Sequence, residues 1–183
     1  MNKAKLIAYL EGIDQRLRSG AMLYIYGSAA CILLDQPERT SLDIDVAGPY
    51  SEANQSDLAY AAGKAGIPIN PDPEYTGNYI EWIGPLRLCL PQPIADNSLT
   101  LWQGKNLVIK SGSVADLVAS KLIRYDEIDQ GDIQYLLQSY PVSFEEIQAA
   151  VKRLPPPFAR DPILNDNLKN LGIDMKVWRN CHE

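Results

Sequence analysis

The chain has 183 residues, with 17 basic and 23 acidic side chains, and a formal net charge of −6. This length supplies one well-buried core and little material for a second independent domain. The acidic balance gives no global attraction to nucleic acid, so any contact with RNA or DNA has to be local. No apolar run approaches the length of a membrane span, and the first residues lack the apolar stretch of a secretion signal. We therefore expect one cytoplasmic domain over 1–183 with no membrane contact.

The first two elements lead to a small-residue bend. Apolar residues at helical spacing predict an amphipathic helix over about 3–18, and the apolar run 22–26 predicts a strand that ends at Gly27 and Ser28. A short helix follows, so the backbone N–H groups of this bend and the Ser28 hydroxyl suit a phosphate group. A tight turn with an N-cap is the alternative interpretation, and it is compatible with phosphate binding.

A second strand carries two acidic side chains. Because side chains two apart on a strand share a face, Asp43 and Asp45 project together, while Leu42, Ile44 and Val46 are expected in the core. Two carboxylates forced together repel each other unless a cation lies between them, and Mg²⁺ is the cation that such oxygens favour. Taken alone, the pattern also fits an exposed polar face.

The middle of the chain is predicted to contain a loop and several short strands. Gly48 and Pro49 stop the acidic strand, and the segment 70–78 is expected to be an exposed loop. The remaining predictions are a helix over 51–64, strands over 67–69, 79–83, 86–90 and 98–102, and a hairpin that continues into a strand over 107–109.

A helix capped by the segment 111–113 places Lys121 on an apolar stripe. A lysine there has to extend its amine to water, pair with a carboxylate or bind an anion, because an unpaired buried charge is costly. We favour contact with a triphosphate or with acidic residues. Arg124, one turn later, either assists or remains solvated. The stripe is formed by Val114, Leu117, Val118, Leu122, Tyr125 and Ile128.

Helices alone are predicted for the rest of the chain. Asp129 is expected to cap a helix over 133–138, with Asp132 favouring its dipole, although a catalytic role for the two acids is the alternative. Ser143 and Glu146 form a capping box for the next helix. A final helix is expected over about 162–171, followed by an irregular tail. The whole order predicts an α+β fold: a small mixed sheet backed by helices over 1–110, and a helical part over 111–183.

The bend and the acidic pair together resemble the signature of the nucleotidyltransferase superfamily, which has the fold of DNA polymerase beta. The resemblance covers about residues 20 to 140 and is closest to small bacterial members, including the toxin-like AbiEii group. Arg39 and Thr40 match a pair that precedes the acidic strand in that branch, and the helix with Lys121 matches its downstream motif. We expect Arg39 and Thr40 to order their loop, with substrate contact as the lesser alternative.

The resemblance implies a Mg²⁺-dependent enzyme that moves a nucleotidyl group from a nucleoside triphosphate to an acceptor. It implies catalytic roles for Asp43, Asp45 and Lys121, with nucleotide contacts from Gly27, Ser28, Lys121 and Arg124. It also implies a third carboxylate on a neighbouring strand as a metal ligand beside Asp43 and Asp45, for which Glu81 is the candidate. If Glu81 faces solvent instead, we expect the site to bind nucleotide without catalysing transfer. The acceptor it implies is tRNA, a protein or a small molecule, in a toxin–antitoxin or defence pair with a cognate partner protein. Two alternatives stay open: a nucleotide-binding module without catalysis, and an interaction subunit.

Overall fold

The computed structural model describes residues 1–156 and 158–180, and it has the predicted α+β architecture. The chain divides into two compact units. The first comprises Met1–Leu88 and Ala95–Ser111, and the second comprises Cys89–Ile94 together with the chain from Gly112 onward. That all of the chain forms one domain stays a prediction.

Seven helices and five strands are present in the described residues. The first unit contains helices α1 (Lys3–Asp14), α2 (Gly27–Leu33) and α3 (Gln55–Lys64) and strands β1 (Ala21–Tyr26), β2 (Asp43–Ala47), β3 (Tyr79–Ile83), β4 (Leu99–Gln103) and β5 (Leu107–Ser111). The second contains helices α4 (Val114–Lys121), α5 (Glu127–Ser139), α6 (Phe144–Val151) and α7 (Pro162–Asn180).

The five strands form one mixed sheet in the order β3-β2-β1-β5-β4. Strand β1 is central, antiparallel to β2 and parallel to β5. Strand β2 is parallel to β3, and β4 and β5 form the predicted antiparallel hairpin. Strands β2 and β3, which carry the predicted acidic ligands, are therefore neighbours. The bend follows β1, which pairs with β2 on the side opposite β3.

One face of the sheet is buried in the core of the first unit. It contributes Leu23 and Ile25 from β1, Ile44 and Val46 from β2, Ile80 from β3, and Leu107 and Ile109 from β5. Helix α1 adds buried Leu6, Leu10 and Ile13, and α3 adds Leu58, Ala61 and Ala62. Since residues alternate between the faces of a strand, Asp43, Asp45 and Glu81 lie on the side away from this core.

Several local predictions in the first unit are wrong. Leu42 is 55% exposed instead of buried, because β2 begins one residue later and gives it no sheet neighbour. No strand forms over 86–90, where the chain turns, and the segment 67–69 makes only one bridge, between Ile69 and Ile80. The first helix ends at Asp14 and the third begins only at Gln55, after a 3₁₀ turn over Gly48–Tyr50.

The second unit corrects the long stripe predicted around Lys121. Helix α4 ends at Lys121, the chain turns at Tyr125 with a φ of +54°, and Ile128 is 58% exposed on the next helix. The cap of α5 is Asp126, which accepts a hydrogen bond from the Asp129 amide, so the prediction that Asp129 caps this helix is wrong. The final helix α7 continues to Asn180, and the irregular tail predicted after 171 is wrong up to that residue. The end of that tail, 181–183, lies outside the described residues.

Two capping boxes match the sequence. Ser143 and Glu146 begin α6 as predicted, and Ser113 begins α4 with Asp116 as its reciprocal partner. Among the described residues, no helix combines the length and the apolar character that crossing a bilayer requires.

Candidate metal and phosphate site

Three carboxylates from two adjacent strands come together on one face of the sheet. Asp45 lies directly beside Glu81 in the parallel register of β2 and β3. Asp43 lies two residues before Asp45 on β2, and its side chain is on the same face of the sheet. One carboxylate oxygen from each of the three lies within 4.8 Å of the others, and all three side chains are half-buried. Mg²⁺ prefers oxygen ligands, and carboxylates supply them to it in proteins. The residue types and spacing of this acidic cluster fit such an ion.

Asp43 is held by two hydroxyl groups. Ser41 donates to its Oδ1 at 3.1 Å, and the Tyr79 hydroxyl donates to its Oδ2 at 3.3 Å. Burial raises the pKa of the Tyr79 phenol, and the nearby charges of Asp43, Glu81 and Asp45 raise it further. The phenol therefore stays protonated and acts as a donor that orients the first carboxylate.

Glu81 has a cationic neighbour. Arg87 Nη1 lies 2.8 Å from Glu81 Oε1, and the Arg87 side chain is 73% exposed. Arg87 belongs to the turn after β3, where its amide donates to the Gly84 carbonyl. An exposed arginine can exchange its partner at low cost. This weak ion pair therefore orients Glu81 but leaves its carboxylate able to contact another cation.

The bend after β1 lies against the acidic cluster. Gly27 has a φ of +66°, and a Cβ atom placed on it would overlap the Asp45 carboxylate. Only glycine adopts this conformation without strain, and only glycine leaves room for the carboxylate. Gly27, the first residue of α2, is therefore in direct contact with the Asp45 carboxylate, with no apolar side chain between them.

The guanidinium group of Arg39 forms a hydrogen bond with the bend. Arg39 Nη2 donates to the Ser28 hydroxyl at 2.5 Å, and Arg39 Nη1 donates to the Thr40 carbonyl at 3.0 Å. The N-cap of α2, Tyr26, makes no side-chain capping hydrogen bond. Arg39 thus both orders the loop before β2, as expected from the sequence, and brings a positive charge to the bend.

Lys121 belongs to a buried ion cluster in the second unit. Its amine lies 2.6 Å from Asp132 and 3.2 Å from Asp129, and all three side chains are at most 5% exposed. Arg124 also binds Asp129, at 2.9 Å, and this hydrogen bond raises the pKa of the guanidinium. Of the choices left open by the sequence, pairing with carboxylates is the one observed. Roles of Lys121 and Arg124 in catalysis or nucleotide binding stay predictions.

Comparisons with protein-family models, with curated proteins and with solved structures found no match for this chain. The interpretation of the site rests on the geometry above and on the resemblance of the motifs.

The sequence predicts the three carboxylates, the bend and the loop-ordering role of Arg39, but it gives no role to Ser41, Tyr79 or Arg87. Tyr79 lies two residues before Glu81, so strand alternation was a sufficient signal for its position on the acidic face. Ser41 stands in the same relation to Asp43. Arg87 carries no such signal, because it contacts Glu81 from a turn in a segment where the sequence predicts a strand.

Proposed function

We propose that the protein is a Mg²⁺-dependent nucleotidyltransferase that transfers a nucleotidyl group from a nucleoside triphosphate to an acceptor hydroxyl. The observation that carries the proposal is the contact between Gly27 of the bend and Asp45, which belongs to the acidic cluster of Asp43, Asp45 and Glu81. A metal-ion site beside a phosphate-binding turn is the arrangement that this reaction requires.

Each residue of the site has a role in this proposal. The three carboxylates would hold Mg²⁺, which would supply Lewis acidity and offset phosphate charge. Ser41 and Tyr79 orient Asp43, and Arg87 orients Glu81. Ser28 and Arg39 bind phosphate oxygens. The acceptor oxygen bonds to the α-phosphorus, the bond to pyrophosphate breaks, and the hydroxyl proton passes to a carboxylate oxygen of the cluster.

The orientation of Glu81 distinguishes the catalytic proposal from the alternative of a nucleotide-binding module without catalysis. The binding module is favoured if Glu81 points away from Asp43 and Asp45, whereas here the three carboxylates lie together. The geometry therefore supports the catalytic proposal over this alternative. The acceptors in this proposal are those that the resemblance implies, namely tRNA, a protein or a small molecule.

The test is transfer of label from each α-labelled nucleoside triphosphate to total cell RNA or protein, in the presence of Mg²⁺. We expect Asp43→Asn to lower transfer by at least about a hundredfold, because it removes a charged metal ligand. The matched control is Asp72→Asn, which changes an exposed acid in the loop before β3. Transfer by Asp43→Asn at the wild-type rate would refute the catalytic proposal, and transfer by neither protein with any nucleotide or acceptor fraction would refute it as well.

A further inference from the structure

Lys110, on β5, has a half-buried side chain whose ammonium makes no hydrogen bond or ion pair with any residue that the structure describes. Its neighbours on the strand, Ile109 and Ser111, are buried, as is Leu107. Alternation along the strand places Lys110 on the opposite face, away from the core. The positive charge of Lys110 therefore lies on that face without an ion-pair partner among the described residues.

Strand register places Lys110 on the same face as the acidic cluster. Lys110 lies beside Tyr24 of β1, Tyr26 lies beside Asp45 of β2, and Asp45 lies beside Glu81. The lysine is therefore two strands and two residues away from Asp45. With strands about 4.8 Å apart and about 3.3 Å per residue, the two Cα atoms are roughly 12 Å apart.

That separation is too long for a direct ion pair but suits a shared ligand. A lysine side chain has four methylene groups, and together with a polyphosphate held at the carboxylates it spans the gap. A divalent ion at the cluster offsets only part of the charge of a triphosphate, so the remaining phosphate oxygens need further cations. Arg39 supplies one at the bend, and Lys110 is available on the sheet.

We propose that Lys110 is a further substrate-binding residue, whose ammonium binds a phosphate oxygen of the nucleoside triphosphate. The proposal rests on the proposed function and assigns a contact on the sheet that the bend alone does not provide. It also defines the substrate class further: a ligand with a polyphosphate chain, rather than a metal ion with a monophosphate.

The test compares binding of Mn²⁺ alone with binding of inorganic tripolyphosphate in the presence of Mn²⁺, by titration calorimetry on the full chain. Tripolyphosphate carries no base, so it reports the phosphate contacts alone. We expect Lys110→Met to weaken tripolyphosphate binding at least tenfold and to leave Mn²⁺ affinity within twofold of wild type. Lys110→Arg should retain most of the binding. Lys105→Met is the matched control on the same hairpin, where the Lys105 backbone is anchored by Asp14.

The outcomes separate this inference from the proposed function. If Lys110→Met binds tripolyphosphate as wild type does, while Asp45→Asn does not, the assignment of Lys110 is wrong and the proposed function stands. If Lys110→Met loses Mn²⁺ and tripolyphosphate together, the lysine supports the cluster structurally and the assignment is also wrong. If wild-type protein binds no nucleoside triphosphate or tripolyphosphate with Mn²⁺, the proposed function fails and the assignment fails with it.

Discussion

Gly27 joins a backbone constraint to the chemistry of the site. Its φ of +66° is a conformation that other residues adopt only with strain. Because Gly27 has no side chain, the Asp45 carboxylate can occupy the space where a Cβ atom would lie. A residue at this position therefore determines whether the second acidic ligand can stay beside the bend. The sequence indicated a turn here, but the contact with Asp45 depends on the antiparallel register of β1 and β2.

We expect Gly27→Ala to weaken Mn²⁺ binding by about tenfold or more, because the new methyl group displaces Asp45, and displaced metal-site contacts cost about 10- to 100-fold. The left-handed backbone should also cost roughly 1–2 kcal/mol of stability. Titration with Mn²⁺ and thermal unfolding measure the two effects. Gly63→Ala is the control: its Cβ meets no atom within 4 Å in helix α3, so it should leave Mn²⁺ affinity unchanged and stabilise the helix slightly. Unchanged affinity in Gly27→Ala would contradict this account of the bend.

At the scale of elements, the buried ion cluster joins α4 to α5. Lys121 is the last residue of α4, and both of its carboxylate partners lie in the first two turns of α5. The turn between the two helices depends on Tyr125, whose hydroxyl donates to Asp174 of α7 at 2.5 Å. The cluster is thus a structural link within the second unit, whatever further role Lys121 has.

Lys121→Met is expected to lower the free energy of unfolding by about 3–5 kcal/mol, because two buried carboxylates lose the ammonium that contacts both of them, while Arg124 remains bound to Asp129 alone. Lys169→Met removes an ion pair whose side chains are 74% and 70% exposed, and it should cost less than about 1 kcal/mol. Denaturant unfolding of both variants measures the difference. Equal stability of the two would show that the buried pairs contribute little net energy. Activity of Lys121→Met is informative about catalysis only under conditions where the variant remains folded.

The sequence predicted elements best where short-range chemistry determines them. The capping box of Ser143 and Glu146, the strand over Tyr79–Ile83 and the hairpin of β4 and β5 are all confirmed. Each depends on side-chain pattern or on bonds between residues a few positions apart. The pairing of β2 with β3, which brings Glu81 to Asp45, required strand order that no local pattern contains.

The wrong predictions share a cause, which is tertiary context overriding periodicity. Helical spacing continued from Lys121 to Ile128, but the chain turns at Tyr125 and begins a new helix, so the two ends of that stripe lie on different helices. The apolar residues over 86–90 lie beyond the end of β3 and have no strand partner, so they form a turn despite their composition. Leu86 in this run is 88% exposed whereas Leu88 and Leu90 are buried, so the apolar run alone determines neither the element nor the burial of each residue.

At the scale of the whole molecule, the acidic cluster, the bend and Lys110 all belong to the first compact unit, and the Lys121 cluster belongs to the second. The chain passes from one unit to the other after Leu88, Ile94 and Ser111. Two units of this kind need not unfold in one transition. A ligand that binds only the first unit should therefore act on the transition that reports the sheet.

We expect Mn²⁺ to raise the melting temperature of that transition, because it binds the folded cluster and not the unfolded chain. At a concentration ten times the dissociation constant, the stabilisation is about 1.4 kcal/mol, which corresponds to a shift of roughly 6 °C for a unit of the size of the first one. Asp45→Asn should remove the shift. In the absence of metal, the same variant should melt no lower than wild type, because it relieves repulsion among the three carboxylates.

A control melt in NaCl at the same ionic strength separates binding of Mn²⁺ at the site from general screening of charge. Screening depends on the ionic strength and not on which cation is present, so NaCl should reproduce it. Asp72→Asn, which alters an exposed acid outside the cluster, should keep the full response to Mn²⁺. A shift of equal size in wild type and Asp45→Asn would place the bound ion elsewhere on the molecule. A metal-free Asp45→Asn that melts well below wild type would mean that the carboxylate stabilises the fold through its own contacts, and that repulsion within the cluster is the smaller effect.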